Sequence, residues 1–185
     1  ELDRDGARQL TAALSQTGDL LFGDTGKDWS LRAFRPGDMG HVSARQAMIY
    51  QENYGWGEKL EALILEITAT FLREFKPGRE QCWIAERDHR MLGSVFLVEE
   101  DERTARLRLL YVEAEARGLG IGSALVRQCT KFAREAGYER IVLWTHAVLH
   151  SARNIYAKEG YTIVETEVQN EFGKEETSEH WLLEL

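Results

Sequence analysis

Apolar positions recur with two periods along this chain, and the switches between them mark out alternating helices and strands. Leu10, Ala13, Leu14 and Leu21 fall at near-helical spacing and predict a helix over residues 1–22. Gly23-Asp24-Thr25-Gly26 breaks that pattern and reads as a linker. Trp29 to Arg35 reads as a strand stopped by Pro36-Gly37. Asp38 suits the start of a helix reaching about Tyr50, and Asn53-Tyr54-Gly55-Trp56-Gly57 reads as a loop. Leu60, Leu63, Ile64, Ile67, Phe71 and Phe75 then share one helical stripe, ended by Pro77-Gly78.

Three strands are predicted next, over 81–86, 91–99 and 104–112, with Glu100-Asp101-Glu102-Arg103 turning the last two into a hairpin. Alternation in the third predicts Leu107, Leu109 and Tyr111 on one face. A helix over about 122–136 follows, with Leu125, Cys129, Phe132 and Ala136 as its buried stripe and Gly137 as its stop. The wholly apolar Ile141-Val142-Leu143-Trp144 fits a central strand covered on both faces. Ser151 to Glu159 reads as a helix, and 161–168 and 180–185 as two closing strands. The order is antiparallel hairpins first and a strand–helix–strand unit last.

Composition narrows the class. Apolar residues make up 43% of the 185, enough for a packed core, and two prolines with 29% charged residues argue against disorder. The formal charge of -8 disfavours a broad nucleic-acid surface and suits a cationic acceptor such as an amine. Cys82 and Cys129 form no CxxC pair, so neither a disulfide frame nor a metal site is expected. No apolar run approaches the roughly 20 residues a membrane helix needs, and no signal-peptide pattern opens the chain, so a cytoplasmic protein is expected.

The candidate chemistry lies after the strand ending at Val112, where Arg117-Gly118-Leu119-Gly120-Ile121-Gly122 leads into a helix. The first N–H groups of a helix lack internal partners, and the helix dipole adds roughly half a positive charge there. Glycines let that backbone approach an anion, so the segment predicts a phosphate or pyrophosphate site. A Walker A loop would need Gly-Lys-Ser or Gly-Lys-Thr, which is absent. A dinucleotide fingerprint has a different glycine spacing and sits in a parallel βαβ unit.

Arg117-x-x-Gly120-x-Gly122 resembles the Q/R-x-x-G-x-G/A signature of the GNAT acyltransferases, and Asn154-Ile155-Tyr156-Ala157-Lys158-Glu159-Gly160-Tyr161 resembles that family's late helix end. The resemblance covers residues 29–185. It implies an α/β (α+β) GNAT acyl-CoA N-acyltransferase fold, with a mixed sheet of six to seven strands and about four flanking helices. It also implies an enzyme of the acyltransferase class that moves an acetyl group from acetyl-CoA to a primary amine by direct attack in a ternary complex. An acyl-CoA-binding sensor with little turnover is the second reading.

Site residues follow from the same resemblance. The backbone of Leu110, Tyr111 and Val112 would pair with the pantetheine arm. Gly118, Leu119, Gly120, Ile121, Gly122 and Ser123 would hold the pyrophosphate, with Arg117 adding charge and Asn154 a further contact. Tyr156 would be the general acid that protonates the departing thiolate. A lysine-like amine has a pKa of about 10.4, so its deprotonation at pH 7 costs roughly 4.6 kcal/mol and needs a base or a water relay. The glutamate some members carry on the strand before the last helix is replaced by Trp144. His146, two residues on and on the same side, is the candidate base, ahead of Glu113, Glu171 and His180. Tyr50, Tyr54 and Trp56, with Glu171 on a late loop, are candidates for the amine acceptor, a small molecule or a peptide amine.

Residues 1–26 fall outside this match. They resemble the last helix of a MarR-type winged-helix regulator plus a linker, which implies the acetyltransferase half of a MarR–GNAT fusion in 27–185. This piece would bind no nucleic acid or membrane by itself, and the family resemblance implies a homodimer.

Overall fold

A computed structural model describes residues 28–185; the helix predicted over 1–22 and its linker lie outside the described residues. Seven strands form one sheet in the order β1-β2-β3-β4-β5-β7-β6. In chain order the elements are β1 (Ser30–Ala33), α1 (Asp38–Tyr54), α2 (Gly57–Glu74), β2 (Gln81–Arg87), β3 (Arg90–Glu99), β4 (Thr104–Val112), a 3-10 turn (Ala114–Ala116), α3 (Ile121–Glu135), β5 (Arg140–His146), α4 (His150–Lys158), β6 (Thr162–Gln169) and β7 (Glu176–Glu184). Strands β4 and β5 are parallel, and every other neighbouring pair is antiparallel. The sequence expectation of a mixed sheet of six to seven strands with about four helices is met by seven and four among the described residues.

Two layers of side chains cover the sheet. On one face, α3 lays Ile121, Leu125, Val126, Cys129 and Ala133 against Val95, Leu97, Leu107 and Leu143. Phe132 and Ala136, expected in that stripe, are only partly buried at its margin. On the other face, Met39 and Val42 of α1 and Phe71 of α2 pack on Cys82, Ile84 and Phe96. Each fully buried Leu, Ile or Phe side chain contributes about 1.5–3 kcal/mol relative to exposure, so these two clusters dominate the stability of the fold.

Local chemistry sets the boundaries. Gly37, with φ of 98°, is the residue before α1. Asp38, predicted as a cap, is instead the first helical residue; its carboxylate accepts from the Arg35 N–H at 2.8 Å and the Arg32 guanidinium at 2.7 and 3.0 Å. α1 runs past the predicted end to Tyr54, because nothing in Asn53-Tyr54 breaks a helix before Gly55 takes φ of 72°. No helix among the described residues is long and apolar enough to cross a membrane.

The expected alternation in β4 fails at one residue. Phe96 pairs with Arg108 and Ser94 with Tyr111, so Leu109 and Leu110 together oppose Val95, and Leu109 has φ of 50°. This β-bulge reverses the facing of the strand. Leu107, Leu110 and Val112 belong to the α3 side, whereas Leu109 and Tyr111 belong to the α1–α2 side. The prediction that Leu107, Leu109 and Tyr111 share one face is corrected accordingly.

Candidate active site

The sheet opens at its centre. β4 and β5 pair only from Thr104 with Arg140 to Leu107 with Leu143. Beyond Leu107, β4 has no strand partner on its β5 side, while its other edge stays paired to β3 through Ser94 and Gly93. Gly93 is needed there, since a Cβ on it would stand 2.5 Å from the Tyr111 carbonyl oxygen. Gln46, fully buried on α1, donates from Nε2 to the Leu109 carbonyl at 3.2 Å and holds the bulge. Two cavities occupy the opening.

The first, of about 480 Å³, lies between the free edge of β4, the glycine segment and α4. Its lining includes Leu110, Tyr111, Val112, Arg117, Gly118, Gly120, Ile121, Gly122 and Ser123, with Tyr50 and Tyr54 above and His150 and Ser151 opposite. Gly118 and Gly120 have φ of 81° and 76°, and a Cβ on either would meet nothing within 4 Å. Glycine is therefore required by backbone angle, and the space before the helix mouth is open. The first N–H of α3 taken by the backbone is that of Ala124, bonded to the Gly120 carbonyl at 3.0 Å. The preceding N–H groups form an anion cradle at the positive end of the helix dipole. Leu119 and Asn154, both predicted contacts, are exposed and line neither cavity.

The second cavity, of about 380 Å³, lies across the sheet opening. Tyr50, Leu110, Leu149 and Ala152 line both, so the two adjoin at the point where β4 leaves β5. Tyr156 lines the second cavity. Burial drives its pKa far above the usual tyrosine value, so the phenol stays protonated at neutral pH. Tyr50, stacked on Trp56 with centroids 5.3 Å apart, is likewise pushed up to about 12, chiefly by burial. Tyr54 joins this aromatic group at 5.1 Å from Trp56 but lines the first cavity.

His146 faces the same side as Trp144, as its spacing predicts, with centroids 4.7 Å apart. Trp56 and Phe172 close around it at 4.6 and 5.5 Å. Only 3% exposed, it has both ring nitrogens without a hydrogen bond. The Glu176 carboxylate stands 3.5 Å from Nδ1, and its other oxygen accepts from the Trp56 indole at 3.0 Å. Desolvation lowers the His146 pKa below its ordinary value, against the opposing pull of Glu176. The ring is thus neutral at pH 7 and can take a proton. Glu171 and His180 also line this cavity, whereas Glu113 is held by Arg45 in a two-pronged pair at 2.7 Å and is not free to act as a base.

Sequence reasoning missed Gln46, Arg108, Leu149 and Ala152. Gln46 had a usable signal: it continues the buried series Met39, Val42, Ser43 of α1 as a polar residue on an inward face. The others are ordinary residue types whose importance comes from the splayed strands.

Comparison with known proteins agrees with this geometry. The acetyltransferase (GNAT) family model matches residues 45–161. Human N-acetyltransferase 8 is 29% identical over 126 residues, covering 65% of this chain and 56% of that protein. N-acetylaspartate synthetase of Danio rerio is 36% identical over 94 residues, covering 50% of this chain and 33% of that protein. The chain spans about half the length of the curated relatives it matches. The structure of yncA from Salmonella typhimurium with its cofactor acetyl-CoA superposes with a TM-score of 0.69 at 14% identity, over 85% of this chain and 94% of that one. With the family signature matched across more than half its length and the splayed sheet beneath it, the chain belongs to the GNAT acetyltransferase family.

Proposed function

We propose that this domain transfers an acetyl group from acetyl-CoA to a primary amine. The observation that carries the reading is the pair of adjoining cavities: an anion cradle at the mouth of α3 on one side, and an aromatic cavity holding Tyr156 and His146 on the other. Gly118, Gly120, Gly122 and Ser123 present main-chain N–H groups to the pyrophosphate, and the free edge of Leu110 to Val112 offers backbone groups to the pantetheine arm, as an added strand would. Acetyl-CoA supplies the thioester: the new C–N bond forms as the C–S bond breaks.

His146 takes the proton that the attacking amine must lose, directly or through water, and its lowered pKa keeps it ready for this at neutral pH. Tyr156 gives its proton to the departing thiolate. The proton on His146 passes to solvent, so the products are the N-acetyl amine and free CoA. The aromatic wall of Tyr50, Trp56 and Phe172 seats the acceptor, and Glu171 stands in the same cavity to attract its ammonium form. The relation to a fold solved with acetyl-CoA supports the choice of donor.

The reading of residues 1–26 as the tail of a MarR-type domain, a homodimer and a cytoplasmic setting belong to the same proposal and rest on the sequence alone. Thiol release from acetyl-CoA across a panel of primary amines tests the activity. Turnover that falls roughly 10²–10⁴-fold in Tyr156→Phe, with acetyl-CoA binding retained, is the expected result. Binding without release from any amine would refute it.

A further inference from the structure

The second cavity is lined by a guanidinium that no described residue holds in an ion pair or side-chain hydrogen bond. Its charged and titratable lining consists of Arg106, Arg108, His146, Glu171 and His180, with the phenols of Tyr50 and Tyr156. Arg106 is committed to Glu100, which it grips through both Nε and an Nη, the latter at 2.6 Å. Arg108 has no ion pair or side-chain hydrogen bond to any described residue. It is half-buried, and its pKa is lowered by that burial and by the like charge of Arg106, which together outweigh the opposing pull of Glu100. A partly desolvated guanidinium beside a second one is unfavourable unless an anion joins it.

The bulge explains its position. Arg108 is the last residue before Leu109, where β4 turns its facing and has already lost β5 as a partner. The cavity volume of about 380 Å³ is at the small end of ligand sites, and much of its wall is aromatic.

We infer that the acceptor amine carries a carboxylate, which Arg108 receives in the second cavity. The acceptor is then a small zwitterion of the amino-acid type, with its apolar part against Trp56, Trp144 and Phe172. A guanidinium can grip a carboxylate or a phosphonate with two hydrogen bonds, so the choice between them falls to charge, and one guanidinium balances a monoanion. Glu171 in the same space repels a dianion. The inference rests on the acetyltransferase reading above and narrows its substrate class.

The test is steady-state thiol release with matched sets: several amino acids, their carboxamides, their decarboxylated amines and their aminophosphonate counterparts. Wild-type kcat/KM for the acids should exceed that for the amides and amines by about 10- to 100-fold, the scale of one charge-assisted pair. Arg108→Gln should remove that preference by slowing the acids alone, and Arg108→Lys should keep part of it. Calorimetry with acetyl-CoA and thermal unfolding of each variant check that the first cavity and the fold survive. Equal use of amides, a preference for phosphonates, or a preference that persists in Arg108→Gln overturns the inference. So does acetyl-CoA binding with no release from any acid. Failure of the wild type to bind acetyl-CoA sinks the acetyltransferase reading itself, which is a separate outcome.

Discussion

Gly122 and Ile155 are in such close contact that a Cβ added to Gly122 would lie 2.6 Å from Ile155 Cδ1. The contact brings the first turn of α3 against α4, two walls of the first cavity. Gly122 thus serves packing, while Gly118 and Gly120 serve backbone angle, although all three stand in one motif. A larger residue at 122 must displace the Ile155 side chain, and a branched one also crowds the seam between α3 and α4. Gly122→Leu should destabilise the domain by about 1–3 kcal/mol through overpacking, and Ile155→Ala in the same chain should restore part of the loss. Thermal or urea unfolding of the two single variants and the double variant measures the coupling; strict additivity would contradict the contact.

His146 gives a pH dependence with a definite sign. Its folded pKa lies below the ordinary 6.5, because burial penalises the charged ring. As the pH falls, the unfolded chain takes up this proton first. The stability from keeping His146 neutral is therefore complete above about 6.5 and is lost progressively below it, towards the folded pKa. If His146 is the base, the acidic limb of kcat/KM lies below pH 6.5 as well. Glu176→Gln removes the one charge that opposes desolvation, so the limb should move still lower. A limb at or above 6.5, or one that rises in Glu176→Gln, would rule out this role.

Arg45 and Glu113 fasten α1 to the end of β4 just before the glycine segment. The Glu113 side chain is 5% exposed and that of Arg45 is 35% exposed, so the pair is shielded on one side only. Arg45→Met leaves the carboxylate buried without its cation and should cost roughly 1–3 kcal/mol, less than a fully buried pair would. Glu113→Gln with Arg45 intact should cost less, since an amide can still accept from the guanidinium. Denaturant midpoints distinguish the two, and equal losses would show that the charge on Glu113 is not what matters.

The sequence made the repeating features legible and concealed the single departures from them. β4 was bounded at Thr104 and Val112 by its alternation and the acidic turn before it, and both ends agree with the structure. Strand parity placed His146 beside Trp144, because two residues along a regular strand share a face. The bulge at Leu109 was invisible, since periodicity assumes that every residue advances the pleat by one step. That one irregularity reassigns Leu109 and Tyr111 to the other face and hides the significance of Arg108. Long-range closure was readable only in part: a late loop carrying Glu171 was expected at the site, but no local pattern announces that Phe172 and Glu176 enclose His146. The site roles of the glycine segment and Tyr156 came from motif resemblance, and the structure places these residues on the walls of two adjoining cavities.

Calorimetric titration of acetyl-CoA into the wild-type protein and into Gly120→Glu is the most direct test of the central claim. Gly120 has φ of 76° at the mouth of α3, where glutamate would add backbone strain and a negative charge facing the pyrophosphate. The account predicts micromolar binding by the wild type and a loss of at least about 100-fold in the variant, with thermal unfolding showing that the variant still folds. Unchanged affinity in a folded Gly120→Glu protein would contradict it.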